Sequence, residues 1–257
     1  MTKLTTHIAT LDAMKKYPKE LSYMGDLSVL ERPKVSIVGT RRPLAYTRIQ
    51  TFEIAKALSS RGVVVVSGAA MGVDAIAHTG AGADNTIAIL PTGIDIRYPA
   101  INANLIKNIE EQGLTISQFA DGFKATAWSF VLRNEIVVAL GDILVVTEAD
   151  ENSGSMRSVE YALDMGKDIY VLAHQIGDSA GTNKLLRDGL AKPIYDIEDF
   201  ASIFGNKTKS KVQKDDFYYF CQAHPTLDSA IEKFGERVYE AELEGLIVIE
   251  NAIVRVV

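Results

Sequence analysis

Apolar residues fall along this chain in short unbroken runs rather than in alternation. Lys34–Val38 (KVSIV), Val63–Ser67 (VVVVS), Thr86–Leu90 (TIAIL), Ile143–Thr147 (ILVVT) and Ile169–Ala173 (IYVLA) are dense in β-branched and aliphatic residues. Such runs suit strands buried on both faces, as in a parallel sheet. Leu114–Ser117 (LTIS) is a fainter run of the same kind. Between the runs, apolar positions recur at helical spacing. Tyr46–Ser60 places Ile49, Phe52, Ala55 and Leu58 near one face, and Gly62 sits just past its end. Asn102–Gln112, Phe130–Leu140 and Ser155–Met165 repeat the pattern. Strands alternating with helices predict an α/β fold with a doubly wound, mostly parallel sheet and right-handed crossovers. The first strand is expected at Lys34, with residues 1–33 as a short lead-in.

The alternation stops after Phe200. Within the polar run Asn206–Lys214 (NKTKSKVQK) there is no apolar face, and residues 207–214 are expected to link two domains. Beyond it, Asp215–Ala223, Thr226–Phe234 and Glu236–Glu244 have the spacing of three short helices. Leu246–Glu250 and Ala252–Val257 then suit a hairpin turning at Asn251. The expected organisation is a main domain over residues 1–206 and a small winged-helix-like domain over 215–257.

Charge divides along the same boundary. Residues 215–257 carry nine acids and three bases, a net −6 equal to that of the whole chain, whereas residues 1–214 balance at 24 of each. A protein that coats DNA by charge alone is basic overall, so any nucleic-acid contact must be a local patch. The acidic tail is a poor surface for phosphates and a better one for protein contact or self-association, with Tyr239, Leu243 and Leu246 as its apolar centre. The single cysteine, Cys221, excludes a disulfide within the chain and a cysteine metal cluster. No run of about 18 apolar residues is present and the N-terminus lacks a secretory apolar segment. A cytoplasmic protein without a membrane partner is expected.

Ligands of open α/β sheets bind outside the carboxyl ends of the strands, so the strand-end residues carry the chemistry. The first run passes into Gly39-Thr40-Arg41-Arg42-Pro43. Glycine permits close backbone approach, and arginine offers a planar fork to phosphate oxygens; the alternative is a turn with two solvated arginines. The second run ends in Ser67-Gly68-Ala69-Ala70-Met71-Gly72-Val73-Asp74, small residues suited to a ligand or to tight strand–helix packing, with Asp74 also placed to cap the next helix. Ser153-Gly154-Ser155 stands at a helix start and suits an anion or plain capping. Gly181-Thr182-Asn183-Lys184 has the same small, polar character plus a base. In Trp128-Ser129-Phe130-Val131-Leu132-Arg133-Asn134 an aromatic ring lies near an arginine, which suits a stacked base, or Trp128 and Phe130 are core. No catalytic constellation stands out. The four histidines are scattered, no dinucleotide fingerprint, nucleophile elbow or Walker lysine loop is present, and acid pairs such as Asp150-Glu151 suit a solvated turn better than an acid–base pair. No cofactor or metal is expected.

Taken in order, VSIVGTRRP, SGAAMGVDAIAH, TGIDIRYP, RN-x-IVVAL, SGSM and GTNKLLRDG resemble the DprA family, the DNA-processing proteins of natural transformation. The resemblance is close over about residues 17–200 and loose beyond. It implies an extended Rossmann-like fold and a non-enzymatic, dimeric protein. Such a protein binds single-stranded DNA regardless of sequence, protects incoming DNA and loads RecA onto it. By motif, Gly39, Thr40, Arg41, Arg42, Ser67, Gly68, Phe130, Arg133, Asn134, Ser153, Gly154 and Ser155 are expected at the DNA, with Lys124 and Lys184 adding charge and Asp74 structural. The N-terminal helical extension of some members is expected to be absent. Two departures stand out: Ala69 where many relatives have glycine, and Glu135 where many have a base. Either Glu135 points away, or Lys124 and nearby bases offset it. DNA affinity is accordingly expected at the weak, salt-sensitive end of the family.

Two other functions fit a Rossmann-type fold. One is cleavage of nucleotide N-glycosidic bonds, as in the phosphoribohydrolases that activate cytokinins. Their P-G-G-x-G-T-x-x-E signature has no counterpart at Asn152-Ser153-Gly154-Ser155, and Glu160 lies one turn further on. The other is a binding module for a small nucleotide.

Overall fold

The computed structural model describes residues 2–206, 216–235, 237–243 and 246–256. They belong to two compact units, Met1–Thr208 and Lys209–Val257. The linker expected at 207–214 lies outside the described residues.

The first unit opens with β1 (Thr2–Lys3) and β2 (Ser22–Gly25), separated by a 3-10 turn at Ala9–Ala13; a second turn at Leu27–Glu31 leads into β3 (Lys34–Val38). There follow α1 (Ala45–Ser59), β4 (Val64–Ser67), α2 (Val73–Ala81), β5 (Thr86–Ile89), α3 (Ala103–Gln112), β6 (Leu114–Ser117) and α4 (Ala127–Leu140). The unit continues through β7 (Ile143–Val146), α5 (Gly154–Asp164), β8 (Ile169–Leu172), α6 (Ala180–Arg187), β9 (Lys192–Ile194) and α7 (Ile197–Ser202). All nine strands form one sheet in the order β1-β2-β6-β5-β4-β3-β7-β8-β9. From β6 to β9 every neighbour is parallel, while β2 is antiparallel to β6 and β1 to β2.

Both faces of the sheet are covered, as continuous apolar strands require. On one face Val64, Val66, Ile87, Ile89, Leu144 and Val146 pack with Ile136, Val137 and Leu140 of α4. On the other, Val35, Ile37, Val65 and Val145 pack with Ile54 and Leu58 of α1 and with Val73 and Ala77 of α2. Ser36 faces α4 and donates its hydroxyl to the Val137 carbonyl at 2.6 Å, so the helix lies close on the sheet without an orphaned polar group.

The sheet does not begin at Lys34 as the sequence pattern suggested. Ser22–Gly25 is partly exposed and has no apolar run, so it carries no local strand signal. Its pairing comes from far away, Ser22 opposite Ser117 and Gly25 opposite Leu114. β9 likewise lacks a sequence signal; its Pro193 is acceptable because β9 is an edge. The Gly181–Lys184 segment also differs from expectation, lying in the first turns of α6 rather than in a loop.

The second unit has α8 (Asp216–Gln222), α9 (Leu227–Phe234) and α10 (Arg237–Leu243), then a hairpin of β10 (Ile247–Glu250) and β11 (Ile253–Val256). Asn251 and Ala252 take φ of 51° and 60°, the left-handed pair that a two-residue hairpin turn needs. Phe217, Cys221, Ala230, Val238, Ala241, Ile247 and Val254 form this unit's own core, with Leu246 packed against it. Tyr239 is exposed, and the side chain of Leu243 lies outside the described residues. Among the described residues no helix is long and apolar enough to cross a membrane, and no cluster of three His, Cys, Asp or Glu could hold a metal.

Candidate nucleic-acid interface

The chain order of the sheet reverses between β3 and β7: β4, β5 and β6 step outward on one side, β8 and β9 on the other. Strand-end loops diverge at such a switch and leave a crevice. Here three loops around it are tied by backbone bonds. Thr40 donates its amide to the Glu148 carbonyl at 2.9 Å and accepts from Val73 at 3.1 Å. Gly72, at φ 79°, lies so close that a Cβ there would stand 2.5 Å from the Thr40 oxygen. The loops after β3, β4 and β7 therefore form one rigid rim.

The cleft encloses about 520 Å³ and is lined by Gly39, Thr40, Arg41, Asp74, Phe130, Arg133, Asn134, Ser153, Gly154, Ser155 and Arg157, among others. Most of the sequence-predicted set is thus brought together. α4 brings in Phe130; the helix starts at Ala127 because Thr126 and Ser129 form a reciprocal capping box, three residues before the start expected from apolar spacing. The Arg41 guanidinium lies 5.1 Å from the Phe130 ring centre, a cation–π distance. Tyr98, which carries no sequence signal for this role, packs on the other part of Phe130 at 5.9 Å. Together with Gly68, Met71 and Pro99 these residues line a small apolar recess beside the cleft. α5 points its N-terminus at the cleft, with Ser153 in the N-cap position but making no side-chain cap bond. Its first amides are thus available to an anion.

Other members of the set are engaged within the fold or lie at the rim and beyond it. Ser67 is fully buried and donates to the Ile37 carbonyl at 2.7 Å, so its hydroxyl is used inside the sheet. Arg133 lines the cleft but its side chain is only 5% exposed and meets Asp74 at 3.4 Å. Burial pushes its pKa down, against the opposing pull of Asp74. It holds the floor in place more than it offers a fork. Arg42 is exposed on the rim, its amide donating to the Thr40 hydroxyl at 3.2 Å. Lys124 is exposed in the loop before α4, outside the cleft. Lys184 sits on α6 and pairs with Glu151 at 3.3 Å.

The two departures from the family pattern turn away from the cleft. Glu135 is buried on the opposite side of α4, where it accepts from the Lys15 amide at 3.1 Å. Ala69 takes φ 55° and is buried with Ala88, Leu90 and Ile94; it carries the backbone strain a glycine would not but does not narrow the cleft. Trp128, 53% exposed and edge-on to Phe119 and Phe123, is neither core nor a cleft residue. Glu160 is exposed and pairs with Arg157 at 2.7 Å.

The family profile described as DNA recombination-mediator protein A matches residues 5–205. The chain belongs to that family. The family's description names a mediator of recombination. The DNA processing protein DprA of Bacillus subtilis is 30% identical over 187 residues, covering 71% of this chain and 63% of that protein. Protein Smf of Synechocystis is 35% identical over 72% of this chain, which spans about half, 49%, of that relative's length. Among solved structures, DNA processing protein A of Helicobacter pylori superposes with a TM-score of 0.77 at 38% identity, covering 79% of this chain and 94% of that one; that structure describes a single-stranded DNA binding mode. DprA of Streptococcus pneumoniae gives a TM-score of 0.73 at 28% identity, covering 80% of this chain and 75% of that one.

Proposed function

We propose that the crevice between β3 and β7 binds single-stranded DNA without sequence preference. The observation that carries this reading is the stacking of Arg41 on Phe130 beside the uncapped N-terminus of α5. That arrangement offers a cation and free amides to phosphates and an aromatic ring to a base, a contact that tolerates any base because each has a π-face. The Helicobacter relative's binding mode supports it. In the same proposal the protein protects incoming DNA during natural transformation, loads RecA and works as a homodimer.

Fluorescence anisotropy with oligothymidylate tests the first part. Single strands are expected to bind better than duplex of the same length, and Arg42→Ala to weaken binding several-fold. Removing one phosphate-neutralising side chain should lower the slope of log K against log salt by about 0.7. Absence of binding at low salt would refute the reading. RecA filament assembly on protein-coated strands tests the second part.

The acidic second unit is assigned protein contact rather than DNA contact. Deleting residues 207–257 removes a unit with its own core. DNA affinity is then expected to stay within about twofold, while partner binding or oligomeric state changes. A folded truncation that no longer binds DNA would place part of the interface in the tail.

A further inference from the structure

The helix that follows the switch-point strand of a doubly wound sheet commonly presents its N-terminal amides to a phosphate. In this chain that helix is α1, and a carboxylate already sits at its N-terminus. α1 has Leu44 at the N-cap, no side-chain cap of its own and no acid in its first turn. The anion comes instead from the opposite wall of the crevice. The Glu148 carboxylate, in the loop after β7, accepts from the Leu44 amide at 3.0 Å and from the hydroxyl of Thr47, which is fully buried. Through its own carbonyl Glu148 also takes the Thr40 amide. One residue therefore clamps both ends of the Arg41–Arg42 loop. α5, across the crevice, has no side-chain cap and no acid in its first turn, and among the described residues no carboxylate is hydrogen-bonded to its first amides.

We propose that Glu148 is a built-in phosphate surrogate: it fills the nucleotide-phosphate position at α1, excludes free phosphate and mononucleotides from it, and orders the arginine loop for a DNA strand held at α5. The inference deepens the single-stranded DNA reading and rests on it only for where the strand runs. The physical grounds are local. A carboxylate satisfies the same amide and hydroxyl donors that a phosphate would, and a second anion beside it meets like-charge repulsion in a partly desolvated site. Glu148 is a positioning and specificity-determining residue in this scheme, since it touches the loop and not the strand.

The test uses the full chain with inorganic phosphate and thymidine monophosphate as probes, followed at the Leu44–Thr47 amides by NMR and by thermal shift. In the parent, phosphate should leave those amides unmoved. Glu148→Ala opens the position, and phosphate should then bind there saturably, roughly tenfold or more tighter than to the parent, while oligothymidylate affinity falls several-fold. Glu148→Gln keeps the amide contact and loop order and should retain most of the oligothymidylate affinity. A merely structural residue would lose DNA binding on substitution but would not gain a phosphate site. Phosphate shifts at Leu44–Thr47 in the parent, or a folded Glu148→Ala that gains none, overturn the inference. If Glu148→Ala does not fold, Glu148→Ser is measured in its place; restoration of fold by phosphate supports the proposal, and failure of both variants with and without phosphate overturns it. A parent that binds no DNA while Glu148→Ala binds phosphate would sink the DNA reading and leave this one standing.

Discussion

Gly68→Ala is expected to destabilise the first unit by about 3–5 kcal/mol, the usual cost of breaking a buried ion pair by removing one side. The added methyl would stand 0.8 Å from Nη1 of Arg133 and 2.1 Å from its Cζ. Gly68 is not in the left-handed region, so alanine fits the backbone and the clash is purely with the guanidinium. Arg133 must leave, and the Asp74 side chain, 9% exposed, is left with the Ala70 amide at 3.3 Å as its hydrogen bond. The displaced guanidinium also ceases to lie 5.9 Å over Phe130, so DNA affinity should fall with stability. Urea denaturation of Gly68→Ala, Arg133→Gln and the double variant measures this. The two single losses should be strongly non-additive, because each removes the same pair. A loss below about 1 kcal/mol for Gly68→Ala would show that the guanidinium has another place to go.

Acid is expected to erode stability through a single buried imidazole. His78 lies fully buried on α2, its Nδ1 2.6 Å from the Thr86 hydroxyl, with Nε2 unpartnered among the described residues. Burial first, and the nearby Arg133 charge second, push its pKa down to about 3 from 6.5. The unfolded chain takes up a proton near pH 6.5 and the folded protein does not until about pH 3. The stabilisation is therefore complete above pH 6.5 and is lost as pH falls toward 3, at up to about 1.4 kcal/mol per pH unit. Comparing urea stability of the parent and His78→Gln at pH 7.5, 6 and 5 isolates this contribution from that of the carboxylates. The variant's profile should be flatter by about that slope below pH 6; parallel profiles would assign acid sensitivity to other groups.

The parts of the fold that were legible in the sequence are those whose cause is local. Val63–Ser67 and Ile143–Thr147 announce themselves because both faces of a central strand are covered and every residue but the last is apolar. Asn251 marks the terminal turn because few residue types accept its φ. The crevice loops were legible for a related reason: small and basic residues at strand ends have little to do in a core. What stayed hidden depends on residues far apart. The edge strand Ser22–Gly25 exists because Leu114–Ser117 offers it hydrogen bonds. Arg133 reads as a surface cation until Asp74, 59 residues away, is seen to hold it under Gly68. Tyr98 reaches Phe130 and Glu148 reaches Leu44 only through the fold. The start of α4 is a different kind of miss, since Thr126 and Ser129 have capping-box spacing but lack the usual Glu or Gln.

The pairing of β2 with β6 also orders events in time. Ser22 is synthesised 95 residues ahead of its partner Ser117, an interval of about 5–20 s at ordinary translation rates. Throughout that interval the strand can pair with the two-residue β1 but not with the body of the sheet, and its contact with β6 is among the non-local ones that form slowly. The central parallel strands β3, β4 and β5 are complete before β6 emerges. A segment made well ahead of β3, β4 and β5 is thus seated on the sheet after them. The sheet grows outward from the crevice, and its antiparallel border is laid down only after the rim loops that follow β3 and β4 have been made.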